Sequence, residues 1–150
     1  MYMKRDFSHR FGFVLTEAGR LYSRRFDHVA RDALTLSRAQ CRALAALASA
    51  PDGAALTQID LADQLDVTAM AVGSLCDRLC AAGLIRRQAV AEDRRVNQLV
   101  LEPGAHAALD AAMLLGDQIE TEVLAGFSAA ERKQLMDMLR RIHQNLLKLK

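Results

Sequence analysis

The chain has 150 residues, enough for one domain or for a small lobe plus helices that need a partner. Hydrophobic residues make up 51% while aromatic ones make up only 5% and Trp is absent, so any core is built from Leu, Ala, Val and Met, a set that favours helices. A net charge of +2 excludes a uniformly basic surface, and any charge that holds nucleic acid has to be local.

No apolar run reaches 18 residues, so no membrane span is expected. Met1-Tyr2-Met3-Lys4-Arg5-Asp6 is not followed by the apolar core of a signal peptide. Three Cys without a CxxC pair fit a reducing cytoplasm better than a disulfide framework. The four His (His9, His28, His106, His143) show no metal-ligand spacing, so neither metal nor cofactor is expected. No Ser-His-Asp setting, phosphate loop or paired-carboxylate cluster is present, which argues against an enzyme.

From Ser8 to Ala30, apolar residues at Phe11, Val14, Leu15, Ala18, Leu21, Tyr22, Phe26 and Val29 recur every three or four positions and predict one amphipathic helix. Ser37 reads as the N-cap of a second helix carrying Cys41, Leu44, Ala45, Leu47 and Ala48, closed by the turn signal Pro51-Asp52-Gly53. Ala54 to Leu56 has the character of a short strand edge.

Thr57, with Asp60 three residues on, caps a helix ending near Leu65. Thr68 caps the next, which runs to about Ala82 before Gly83 supplies a left-handed stop. Ala62, Val67, Val72 and Leu75 have the offsets that fix the angle of a helix-turn-helix, and Asp66 takes the turn position where Gly is common. Leu84-Ile85-Arg86-Arg87 and Leu99-Val100-Leu101 then flank a polar, Arg-bearing connection and predict a two-stranded hairpin. The fold class expected is mainly α with a small β-hairpin, a winged helix-turn-helix.

Pro103-Gly104 introduces a helix with Leu109, Ala112, Met113, Gly116, Ile119, Val123 and Leu124. A last helix opens with a capping box, Ser128 and Glu131, and carries Leu135, Met138, Leu139, Ile142, Leu146 and Leu149. So apolar a terminal helix has little to cover within one small lobe, and docking against a second copy is expected.

The run Leu79-Cys80-Ala81-Ala82-Gly83-Leu84-Ile85-Arg86-Arg87, then Asp93-Arg94-Arg95 and Leu99-Val100-Leu101, resembles the MarR family of bacterial transcription regulators. It is similar in particular to the SlyA-like branch, whose "L-x-x-x-G-L-I-x-R" helix exit precedes a "D-R-R" wing. Ala91 and Glu102 depart from the common pattern, where Pro and Thr are frequent. The resemblance implies a homodimer joined through residues 1–34 and 103–150, with residues 35–102 as the DNA-binding lobe. It also implies double-stranded DNA as the partner, read on a pseudo-palindromic operator by a repressor relieved by a small ligand.

Within that reading, Thr68, Met70 and Ser74 on the outward side of the second helix face bases, and Arg78 one turn later faces phosphate. Arg94 at the hairpin tip is expected to enter the minor groove, with Asp93 and Arg95 pairing in support. Arg86, Arg87, Gln58 and Arg38 are further phosphate contacts. A crevice for a small aromatic acid, with Arg20, Arg42 and Cys41 at its walls, is implied by the resemblance alone. Two other readings stay open: a helical adaptor using the winged fold for protein contacts, favoured by neutral Ala69, Met70 and Ala71, and a thiol-based redox-sensing regulator.

Overall fold

The computed structural model describes residues 4–51, 55–93 and 95–150. The chain divides into two compact units, Met1–Gly116 and Asp117–Lys150. The expected turn at Asp52-Gly53 and the expected inserted arginine, Arg94, lie outside the described residues.

In the first unit, α1 (Phe11–Ala33) starts three residues later than the hydrophobic pattern suggests. Its stripe is divided: Phe26 and Ala30 are buried, while Phe11, Val14 and Leu21 are exposed. Helix α2 (Arg38–Ala48) begins at Ser37, whose hydroxyl accepts from the Gln40 N–H while the Gln40 side chain accepts from the Ser37 N–H, a reciprocal box that ties down two otherwise orphaned donors.

Strand β1 (Leu56–Thr57) leads directly into α3 (Gln58–Leu65). Thr57 and Asp60 form a second such box. The chain leaves α3 through Asp66, at φ 55° and ψ 51°, and the Val67 N–H donates to the Ala62 carbonyl at 3.0 Å. This single left-handed residue turns the chain into α4 (Ala69–Ala81), capped by Thr68, whose Oγ1 accepts from the Ala71 N–H. Of the four residues expected to rigidify the angle, Val72 is buried, Ala62 and Leu75 are half-buried, and Val67 is exposed. The core under the two helices is instead Leu44, Leu61, Leu65, Val72, Cys76 and Leu79.

Gly83, at φ 70°, ends α4 and admits β2 (Ile85–Ala89), which is followed by β3 (Asn97–Leu101). The sequence suggests a two-stranded hairpin, but the sheet has three antiparallel strands in the order β1-β3-β2. Leu99 stands opposite Leu56 on one side and Arg87 on the other. The reason for the difference is that β1 is only two residues long and its partner lies far along the chain, so no local period announces the pairing. Helix α5 (Gly104–Val123) follows, with Ala105, Ala112 and Leu115 buried in its first part.

In the second unit, the end of α5 turns at Gly126, φ 87°, into α6 (Ala129–Leu147). Ser128 and Glu131 make the capping box that their spacing predicts. Arg132 closes the turn from the other side, donating from Nη2 to the Leu124 carbonyl at 3.0 Å and from Nε to the Phe127 carbonyl at 3.4 Å. Helix α6 buries none of its residues, and Met136, Met138, Leu139, Leu146 and Leu147 are exposed along it.

Candidate nucleic-acid interface

Strand parity builds the interface. Alternation along β2 puts Ile85 and Arg87 on one face of the sheet and Arg86 and Gln88 on the other. Ile85 is buried, as is Leu99 across from Arg87, so the Arg87 guanidinium starts from the inner face and needs acceptors there. It has them on both helices of the bihelical unit. Nε donates to Gln58 Oε1 on α3 at 2.6 Å, Nη2 donates to Asp77 Oδ1 on α4 at 2.7 Å, and Nη1 lies 3.9 Å from Cys80 Sγ, also on α4. The Asp77 carboxylate raises the Arg87 pKa, against the opposing effect of burial. The guanidinium therefore stays charged and braces wing, first helix and second helix together.

Arg87 and Gln58, both expected to reach phosphate, are thus engaged with each other. The signal available in the sequence was that Arg87 shares parity with Ile85. Arg86 lies on the outer face, where its Nε pairs with Glu102 at 2.9 Å and its Nη1 donates to Gln88 Oε1 at 2.8 Å. Glu102, a departure from the family pattern, is accordingly the counter-charge of the wing base. Arg38 turns toward α1: its guanidinium carbon is 5.5 Å from the Tyr22 ring centre and 5.3 Å from that of Phe26, and its backbone N–H donates to Asp27. That geometry is a cation–π stack within the lobe.

The wing tip is shaped by Asp93. Its Oδ1 accepts from the Arg95 N–H at 2.9 Å, its carbonyl accepts from the Val96 N–H, and the Val90 N–H donates to the Val96 carbonyl. The Arg95 side chain is 96% exposed, with Nε 4.0 Å from Asp93. Short side-chain-to-backbone bonds of this kind hold a turn without a hydrophobic anchor. On α4, Ser74 and Arg78 are exposed, and Met70 is 86% exposed.

The three residues suggested for an effector crevice lie on α1 and α2. Cys41 is buried in the core and its thiol is pushed up by that burial; Arg42 is exposed; Arg20 is exposed and paired with Glu17 at 2.6 Å. A cavity of about 350 Å³ lies at the junction of α1 and α2, lined by Asp27, Arg31, Thr35, Leu36 and Ser37. Thr35 holds a left-handed backbone at φ 55° on its rim. Burial also pushes up the Cys76 thiol, the opposite of what a peroxide-reactive cysteine requires. Among the described residues no group of three or more His, Cys, Asp or Glu could hold a metal ion, and no helix is long and apolar enough to cross a membrane.

Two angled helices, a three-stranded wing braced onto both of them and an exposed arginine at the tip define a winged helix-turn-helix regulator. Residues 34–96 match the model of the MarR family. The transcriptional regulator PA3341 is 32% identical, with a TM-score of 0.71 over 92% of this chain and 98% of that one. BpsR of Bordetella bronchiseptica, whose DNA binding is regulated by 6-hydroxynicotinic acid, is 25% identical, with a TM-score of 0.72 over 94% of this chain and 98% of that one. MepR of S. aureus, solved as a DNA complex, shares the fold at 23% identity and a TM-score of 0.70, covering 90% of this chain and 97% of that one. The chain belongs to the MarR family of transcription regulators.

Proposed function

We propose that the protein is a homodimeric, sequence-specific repressor in the bacterial cytoplasm that occupies promoter DNA and is released by a small aromatic acid. The observation that carries the DNA-binding part is the Arg87 brace, which makes the reading helix α4 and the wing one rigid reader. Residues 35–102 form the DNA-binding lobe. Residues 1–34 and 103–150 form the dimerisation region, and the wing motif supports a SlyA-like assignment.

Support for a second copy comes from each unit separately. In the first, Phe7, Phe11, Phe13, Val14 and Leu21 are exposed; in the second, α6 leaves Met136, Met138, Leu139, Leu146 and Leu147 exposed and Leu135 and Ile142 only half-buried. Apolar surface of this extent is typical of an interface. A two-fold dimer sets two α4 helices about 34 Å apart, one turn of duplex DNA. Arg94 enters the minor groove, with Asp93 and Arg95 shaping the tip, and Arg78 reaches phosphate.

The effector reading rests on the likeness to BpsR, and the cavity beside Arg31 offers a cation for a carboxylate. Release then follows if the ligand favours a dimer whose α4 spacing no longer matches the groove repeat.

The test combines light scattering with fluorescence anisotropy on duplexes selected from a random-sequence library, at two salt concentrations. A dimer whose affinity falls steeply with salt is expected. A stable monomer, or no duplex bound at low salt, overturns the reading. Truncation before Glu131 is expected to yield monomer or aggregate.

A further inference from the structure

We infer that α4 reads thymine C5-methyl groups in the major groove through Met70, flanked by Ala69 and Ala71, rather than pairing base edges by amide or guanidinium forks. This rests on the proposal that α4 is the reading helix.

Subtraction leads to it. Recognition of base edges by paired hydrogen bonds needs Asn, Gln or Arg for purines, or a carboxylate for cytosine. The first half of α4 contains none of these. The polar groups nearby that could substitute are already engaged: the Gln58 carbonyl oxygen and the Asp77 carboxylate both accept from Arg87. Thr68 Oγ1 accepts from the Ala71 N–H, which fixes its position as a cap. Ser74 and Arg78 remain, one and two turns further along the helix.

Against this polar scarcity, Met70 stands 86% exposed on the first turn of α4, between exposed Ala69 and Ala71. A thioether chain with three rotatable bonds has no packing reason to project into water, and it adapts its shape to small apolar bumps. The thymine methyl is the one apolar feature that the major groove presents. Flanking charge favours DNA as the occupant over an apolar protein surface: exposed Arg78 lies on the last turn of the same helix, and exposed Arg95 at the wing tip.

The test uses the full chain and a duplex recovered by selection from a random-sequence library. Each thymine in a half-site is replaced in turn by uracil, which lacks only the methyl group. At one or two positions per half-site the Kd is expected to rise about 3- to 5-fold, the scale of leaving one methyl group uncovered. With Met70→Ala the thymine-to-uracil ratio at those positions is expected to fall to about one, while Met70→Leu restores it. Because Met70 is exposed, neither variant is expected to disturb folding, and circular dichroism checks this. Uracil tolerated at every position, or a methyl effect that survives Met70→Ala, overturns the inference while leaving DNA binding intact. Failure to recover any duplex overturns the DNA-binding reading and this inference with it.

Discussion

Arg87 on β2 donates to Gln58 at the start of α3 across 2.6 Å, joining two residues 29 positions apart in the chain. With the Asp77 bond, it makes the guanidinium the common point of the wing and both helices. Its bonds to acceptors on both helices fix the position of the guanidinium.

Arg87→Ala should therefore weaken operator binding without changing its salt dependence. Losing charge-assisted bonds is expected to cost about 1–3 kcal/mol of stability. The slope of log K against log salt should stay at the wild-type value, because no released counterion is lost. Anisotropy titrations at several salt concentrations check this. A slope reduced by about one would instead return Arg87 to a phosphate role.

Arg95→Ala should behave in the opposite way. Its side chain is almost fully exposed and its backbone N–H, which Asp93 holds, survives the substitution. Folding stability is expected to stay within about 0.5 kcal/mol, as for other surface changes. Arg94→Ala is expected to weaken specific binding by about 1–3 kcal/mol, the scale of one good nucleic-acid contact. Unchanged affinity in Arg94→Ala at fixed salt would remove it from the minor groove.

Gly73 lies inside α4, and a Cβ there would meet only Gln58 Nε2, at 3.9 Å. That is ordinary contact, so Gly73→Ala should stabilise the lobe by about 0.5–1 kcal/mol through helix propensity. Urea denaturation measures it. A loss of stability would show that the approach of α4 to Gln58 is tighter than this distance indicates.

The Thr57–Asp60 box sets a dependence on acid. Bonds from the Thr57 N–H and hydroxyl hold the Asp60 carboxyl below its ordinary 3.8. A depressed acid contributes stability above its unfolded pKa, and that contribution disappears as pH falls through the folded value. The urea midpoint should thus drop below about pH 4, where unfolded Asp begins to protonate. In Asp60→Asn that part of the drop should be missing. Thr57→Ala should cost about 0.5–2 kcal/mol at neutral pH, as for other caps.

The caps were legible in the sequence because they are local: Thr57, Thr68 and Ser128 each act within three residues of themselves. Asp66 was legible for the same reason, as a left-handed residue between two periodic segments. What the sequence hid depends on strand register and distant pairing. The inward direction of Arg87 follows only once Ile85 is known to be buried and Leu99 to lie across from it. The stripe on α1 told that the helix is amphipathic, but not that Phe26 would find cover while Phe11 and Leu21 would not. Val67 has the spacing of a core residue yet is exposed, because the turn through Asp66 carries it outward.

The central place of β3 also bears on synthesis. Leu56 and Thr57 make their ladder with Leu99 and Gln98, so a nascent chain paused between Ala82 and Val96 has translated α3 and α4 while the strand that opens them lacks its ladder partner. Arg87 is likewise without its cross-strand neighbour until then. The emerging lobe cannot complete its sheet in the order in which the ribosome supplies it, and acquires its three-stranded form only when the middle strand arrives.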